Sequence, residues 1–263
     1  MRLMQILLAS AVALASIPTH AQEQSGAPVQ TAQPADAGLW VTLGTRGGPV
    51  ASPTRSQPAN LLIAGGKNYF VDVGDGSAGQ LAKRGLQTAH LEGVFISHLH
   101  FDHTGGLAAI LGLRFQTNPK NKLKIFGPPG TKEMVDGLVT SMHPGATANY
   151  GVEGVPAENP LDQVEVIELR DTNKVALDGM DVSVRKNSHY SFKPGGEMAR
   201  RFESLSYRFD LPGRSIVYTG DTGPSTAVEE LAEDADVLVA EMMDVEMMIG
   251  LIRKANPRMP DVV

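Results

Sequence analysis

The chain has 263 residues, 42% hydrophobic and 20% charged, the balance of a folded globular protein and not of a disordered or fibrous one. Its net charge of −6 disfavours a dedicated surface for nucleic-acid backbones. It contains no cysteine, which excludes disulfides, thiolate metal sites and cysteine nucleophiles together, so any metal must be held by His, Asp or Glu.

Residues 1–21 (MRLMQILLASAVALASIPTHA) begin with a basic Arg2 and continue as a mostly apolar run over 3–17. That run falls short of the roughly 20 residues needed to cross a bilayer. Small residues at Thr19 and Ala21 complete the pattern of a secretory signal cleaved after Ala21. The expected location is therefore periplasmic or secreted, with no membrane span once the signal is removed. Residues 22–37 are rich in Gln, Pro and Ala and read as a flexible linker. One hydrolase-sized domain is expected over 38–263.

Alternation predicts strands at 39–43, 61–63 and 68–73, the last two joined as a hairpin at Gly65-Gly66. A helix is expected from Ser77 to Arg84, a buried strand at 93–97 and a helix over 105–113. A strand at 123–126 and a helix over 131–141 follow, then strands at 164–169, 175–177 and 180–184. A second hairpin, 204–210 with 215–218, turns at 211–213. A helix at 227–231, a strand at 236–241 and a helix starting near Val245 close the pattern. Hairpins at both ends with helices between them predict a mixed sheet system covered by helices.

The segment Ser97-His98-Leu99-His100-Phe101-Asp102-His103-Thr104-Gly105-Gly106 carries the chemistry. Four potential ligands lie within six residues, directly after a buried strand. Residues i and i+2 chelate one ion from a non-helical backbone, which a strand exit provides, while Asp102 and His103 enter the next helix and point elsewhere. One loop can thus serve two adjacent metal ions. Four polar side chains at the end of a core strand would be costly unless something pairs them. His90 reads as a surface residue and His143, before Pro144, as a loop residue.

His98, His100, Asp102 and His103 form an HxHxDH motif, and with Val71-Asp72-Val73-Gly74-Asp75-Gly76 upstream the chain resembles the metallo-β-lactamase superfamily. Leu43-Gly44-Thr45, Ile125-Phe126-Gly127-Pro128 and Tyr218-Thr219-Gly220-Asp221-Thr222 place the resemblance in its ribonuclease Z and arylsulfatase-like branch, over residues 39 to 255. The resemblance implies a four-layered αβ/βα sandwich with two divalent ions, usually zinc, along one edge. It assigns His98, His100 and His189 to the first ion, Asp102 and His103 to the second, and Asp221 to a bridge between them. Asp72 is expected to hydrogen-bond a ligand histidine; a plain strand-end carboxylate is an equal alternative.

The resemblance also sets two departures. No His follows His189, so the second ion's last imidazole and the closing helix-strand unit are missing. We expect a truncated product, with an open, weak second site as the alternative. Where the ribonucleases carry a His-Glu pair, this chain reads Ala240-Glu241, and no long RNA-gripping arm fits between His189 and Asp221. The expected function is an exported metal-dependent hydrolase of a small ester-type substrate, a sulfate ester or a phosphodiester, with nucleic acid disfavoured. A shared water, its pKa lowered toward about 7 between the ions, would attack while Asp102 orients it or takes its proton. A lactonase or β-lactamase, and a non-catalytic metal-binding protein, are the competing expectations.

Overall fold

In the computed structural model the described residues are 38–48, 50–148, 151, 153–154, 158–244, 246, 249–250 and 253–254. The signal and linker expected over 1–37 lie outside them, as does much of the helix expected from Val245.

The first sheet opens as an antiparallel meander of β1 (Leu39–Gly44), β2 (Ala59–Ala64) and β3 (Lys67–Val73). It continues in parallel through β4 (Leu91–Phe95), β5 (Leu123–Gly127) and β6 (Val164–Glu168). Parallel neighbours need crossovers, and here they are helical. These are α1 (Ser77–Lys83) between β3 and β4, α2 (Phe101–Thr104) and α3 (Leu107–Thr117) between β4 and β5, and α4 (Thr131–Ala148) between β5 and β6.

The second sheet runs β11-β10-β9-β8-β7. β7 (Lys174–Leu177) and β8 (Met180–Lys186) form one hairpin, and β9 (Leu205–Leu211) and β10 (Arg214–Tyr218) another. The short α5 (Glu197–Arg201) lies between β8 and β9, and α6 (Thr226–Ala232) leads to β11 (Val237–Val239), parallel to β10.

Strand alternation decides the layers. Leu62, Tyr69, Val71, Phe95 and Phe126 face Val182, Val184, Tyr207, Phe209, Ile216 and Tyr218 in a core between the sheets. The opposite faces of the same strands carry Leu61, Phe70, Val94 and Ile125, which pack under Leu81, Ile110, Leu111, Val135 and Val139 of the helices. Helix α6 packs on β8 and β9 of the second sheet, outside the core. The result is helix, sheet, sheet, helix, the four layers expected. Loops that leave β3, β4, β8 and β10 gather along one edge of this sandwich.

Two elements differ from expectation. Helix α4 runs on through Pro144 to Ala148, so His143 is an exposed helical residue and not a loop one. Pro144 deprives only the Thr140 carbonyl of its helical donor, close to the helix end. Helix α5 was not expected, because its five residues after two glycines, with only Met198 and Ala199 apolar, are too short to show an apolar period. No helix among the described residues is long and apolar enough to cross a membrane.

Candidate metal centre

Asp72 is the residue around which the site is organised. At the end of β3 it adopts left-handed backbone (φ 57°), and the register slips there: Val71 faces Asn60 and Val73 faces Ala59, so Asp72 is bulged out of the ladder. This conformation costs a non-glycine residue on the order of 1 kcal/mol. Four donors meet the fully buried carboxylate at 2.7 Å. Ser97 N donates to Oδ1, while Ser97 Oγ, His103 Nδ1 and the Tyr218 hydroxyl reach Oδ2. Burial alone would raise this carboxyl, but the adjacent His103 holds it below the usual range.

Two histidines take their tautomers from that carboxylate. His103 donates to it through Nδ1, which leaves Nε2 facing the other way. Ser97 Oγ gives its one proton to Asp72, so at 3.0 Å from His98 Nδ1 it accepts, and His98 Nε2 carries a bare lone pair. Burial, and then the charge of His103, push the His98 imidazole down to about 3. It is a neutral imidazole at any ordinary pH.

His98 and His100 lie in the non-helical exit from β4, where His100 has extended backbone (φ −67°, ψ 147°). His98 Nε2 lies 3.1 Å from His100 Nδ1, and His189 Nε2 lies 3.0 Å from the same atom. Two nitrogens bound tetrahedrally to zinc at about 2.0–2.1 Å sit about 3.3–3.4 Å apart, so the cluster is close to the size of one ion. His189 reaches it from the loop after β8. Asn187 fixes that loop: its side-chain amide donates to the Thr219 carbonyl at 3.0 Å and its Oδ1 accepts from His189 N at 3.2 Å. The Tyr190 ring packs against His98, His100 and His189, and its hydroxyl accepts from Leu99 N.

A second group forms around His103 Nε2. Asp221 Oδ1 lies 3.2 Å from it and Asp102 Oδ2 3.7 Å, while Asp221 Oδ2 is 3.9 Å from His189 Nε2. The two oxygens of Asp221 therefore face different clusters. Asp221 follows Gly220, whose φ of +58° and close approach to Ser97 admit no side chain: a Cβ there would lie 2.9 Å from the Ser97 Cβ. On the opposite side Gly106 N donates to the Val73 carbonyl at 2.8 Å, tying α2 and α3 to β3.

His103 Nε2 and Asp221 Oδ1 are buried and, though adjacent, make no hydrogen bond among the described residues. Two orphaned buried atoms facing each other, one a nitrogen lone pair and one a carboxylate oxygen, fit a cation between them. Without one, a proton is drawn there. Burial opposes charging of His103, yet Asp72 on one side and Asp221 on the other raise it to about 11. Asp221 is held below the usual carboxylate range by His103, against the opposing effect of its partial burial. His98, His100 and His189 form one potential metal-holding group, and His98, His103 and Asp221 another.

A family model described as Anti-Pycsar protein Apyc1 matches residues 42–248. "Ribonuclease Z" of Mycobacterium marinum is 32% identical over 204 residues, covering 76% of this chain and 69% of that protein. The chain belongs to the Apyc1 family, within the ribonuclease Z-like branch of the metallo-β-lactamase superfamily. "Ribonuclease Z" of Mycobacterium bovis is 30% identical over 204 residues, with the same coverage of both chains. Human tRNase Z, short form, shares the fold at a TM-score of 0.59, with 24% identity, over 81% of this chain and 82% of that one. The metallo-β-lactamase fold protein YhfI of Bacillus subtilis does so at 0.56, with 17% identity, over 77% and 70%. Membership makes the chain a metal-dependent hydrolase of this superfamily.

The structure brings together every residue that the metallo-β-lactamase resemblance named: His98, His100, Asp102, His103, His189, Asp221 and Asp72. His90 and His143 lie on the exposed surface, and His90 Nδ1 accepts from Gln87 N. Three contributors escaped the sequence reading. Ser97 relays Asp72 to His98, the Tyr218 hydroxyl donates to Asp72, and Tyr190 packs the histidine rings. Tyr218 carries no signal beyond ending its strand, and Ser97 none beyond following one. Glu241 also closes on the site, 3.4 Å from the Tyr218 hydroxyl. Burial of its carboxyl, then the charge of Asp221, push it up to about 7, although the residue as a whole is exposed.

Proposed function

We propose that this chain is an exported phosphodiesterase that acts with two divalent ions, zinc by the chemistry of its donors, on a small substrate. The observation that carries the reading is the split of Asp221, one oxygen toward His103 and the other toward His189. A bridging carboxylate between two ligand groups suits a two-ion site. His98, His100 and His189 would hold the first ion, and Asp102, His103 and Asp221 the second. Three protein donors with an open position is the pattern of a catalytic zinc. His and carboxylate donors without thiolate favour zinc over softer ions.

Bound divalent ions would supply electrophilic assistance to the ester oxygen and activate water. The chain's own side chains do the remainder. Asp72 keeps His98 and His103 in the tautomers that ligate. Asp102, at the mouth of the second group, orients the attacking water and takes its proton. The phosphodiester is favoured over the sulfate ester because the relatives named Ribonuclease Z bear a name that denotes cleavage of a phosphodiester polymer. A small substrate is favoured over RNA because between His189 and Asp221 the chain forms only α5 and the β9–β10 hairpin. Export is supported by the pattern of residues 1–21.

A substrate panel on zinc-loaded protein tests this reading. Bis(p-nitrophenyl) phosphate should be hydrolysed, with activity lost to a chelator and restored by zinc. Turnover confined to an aryl sulfate, a lactone or a β-lactam would replace the substrate class, and turnover confined to a short RNA would restore the nuclease reading. No turnover with any of them would leave a binding protein.

A further inference from the structure

The loop between β1 and β2 holds the second ligand group from outside the HxHxDH motif. Gly48 N donates to Asp102 Oδ2 at 2.7 Å, the oxygen that lies 3.7 Å from His103 Nε2. Gly48 is braced in turn, because the Gln57 side-chain amide donates to the Gly48 carbonyl at 2.9 Å. The other end of that amide is anchored: Gln57 Oε1 accepts from Asp75 N at 3.3 Å, and Gln57 N donates to the Asp75 carbonyl at 3.2 Å. Gly74, beside Asp75, donates to the Pro58 carbonyl at 2.9 Å. Gln57 thus spans from the turn after β3, the strand that carries Asp72, to the peptide group that donates to Asp102.

We propose that Gln57 is a positioning residue for the second ion, acting through the Gly48 N–H on the Asp102 carboxylate. The argument is one of freedom. A carboxylate has a broad, roughly two-fold terminal torsion. Asp102 is only partly buried, and among the described residues its carboxylate accepts one hydrogen bond, that from Gly48. Arg46 ties the loop on either side of Gly48, with its N–H on the Ser56 carbonyl and its Nε on the Val50 carbonyl; the Gln57 amide grips the Gly48 peptide group itself, with one hydrogen bond at each end. Outer partners that fix a ligand in this way alter metal affinity when lost. The inference rests on the reading that Asp102 faces the second ion.

The test compares wild type with Gln57→Leu, which removes both side-chain bonds, and Gln57→Glu, which keeps the shape and the acceptor for Asp75 N. Each metal-free protein is titrated with Co²⁺ followed by its visible absorption, and the stoichiometric steps are checked by metal analysis. Both variants should bind the second ion about 10-fold to 100-fold more weakly and the first with unchanged affinity. Two unchanged steps, or equal weakening of both, would overturn the positioning role, since a merely structural lesion does not select one ion. The Glu variant preserves this comparison should the Leu variant not fold. A wild-type chain that takes up a single ion would instead overturn the two-ion reading, and this inference with it.

Discussion

Asp72 and His103 are joined by a 2.7 Å hydrogen bond with both side chains fully buried, and that contact sets the direction of the whole site. It aims His103 Nε2 at Asp221, and through Ser97 the same carboxylate aims His98 Nε2 at His100 and His189. One carboxylate thereby orients a histidine in each of the two groups.

Replacing Asp72 should show this double role. Asp72→Asn keeps the shape but offers one acceptor where four donors converge. We expect a loss of about 3 kcal/mol or more in urea denaturation, as for other broken buried pairs. Zinc competition should show both ions bound about 10-fold to 100-fold more weakly. A variant of unchanged stability with two tight ions would contradict the arrangement.

Asp221 and Asp102 should separate folding from function. Both are partly exposed and neither lies in the core. Asp102→Ala should abolish hydrolysis with the melting temperature nearly unchanged. Asp221→Ala should bring two bound ions to one by metal analysis. Its turnover should fall by more than the about 100-fold seen on loss of an outer partner. Substantial activity in either variant would remove the mechanism.

Metal uptake should release a proton. His103 stays protonated in the metal-free protein up to about 11, so near pH 8 the second ion displaces that proton. His98, neutral above about 3, releases none. Affinity for the second ion should therefore rise with pH through this range. Titration calorimetry in two buffers of different ionisation enthalpy reads the proton count directly. A count of zero would mean that His103 is already neutral.

The same shifts act on stability with opposite signs. The folded pKa of His103 is raised, so its contribution is complete below the unfolded value of about 6.5 and is lost as pH rises toward about 11. That of His98 is depressed, so its contribution is present above about 6.5 and is lost as pH falls toward about 3. Metal-free protein should be most stable between these limits. Urea midpoints measured across pH would expose a monotonic trend if the assignment were wrong.

Gly220→Ala should be out of proportion to its size. A methyl group there needs left-handed backbone and meets Ser97. The backbone alone costs about 1–2 kcal/mol, and any relief moves Asp221 away from His103. Reduced melting temperature together with loss of the second ion is the expected pair; full retention of both would show that the turn can yield.

The amino-acid sequence carried the strands and the cluster of potential ligands at 98–103, and its resemblance carried the superfamily and the four layers. The strands and the cluster are local: alternation marks which face of a strand is buried, and four potential ligands in six residues need no partner to be noticed. The tertiary structure alone decided how the distant residues meet. His189 is 89 positions from His100, and its distance of 3.0 Å comes from packing two sheets and from the Asn187 bridge. Asp72 reaches the site only because its bulge breaks the alternation that makes a strand legible. The Gly48 and Gln57 contacts arise in a loop whose composition announces a turn and nothing more. Periodicity encodes burial along a segment, whereas convergence of side chains depends on register and packing between segments, which no single stretch of chain contains.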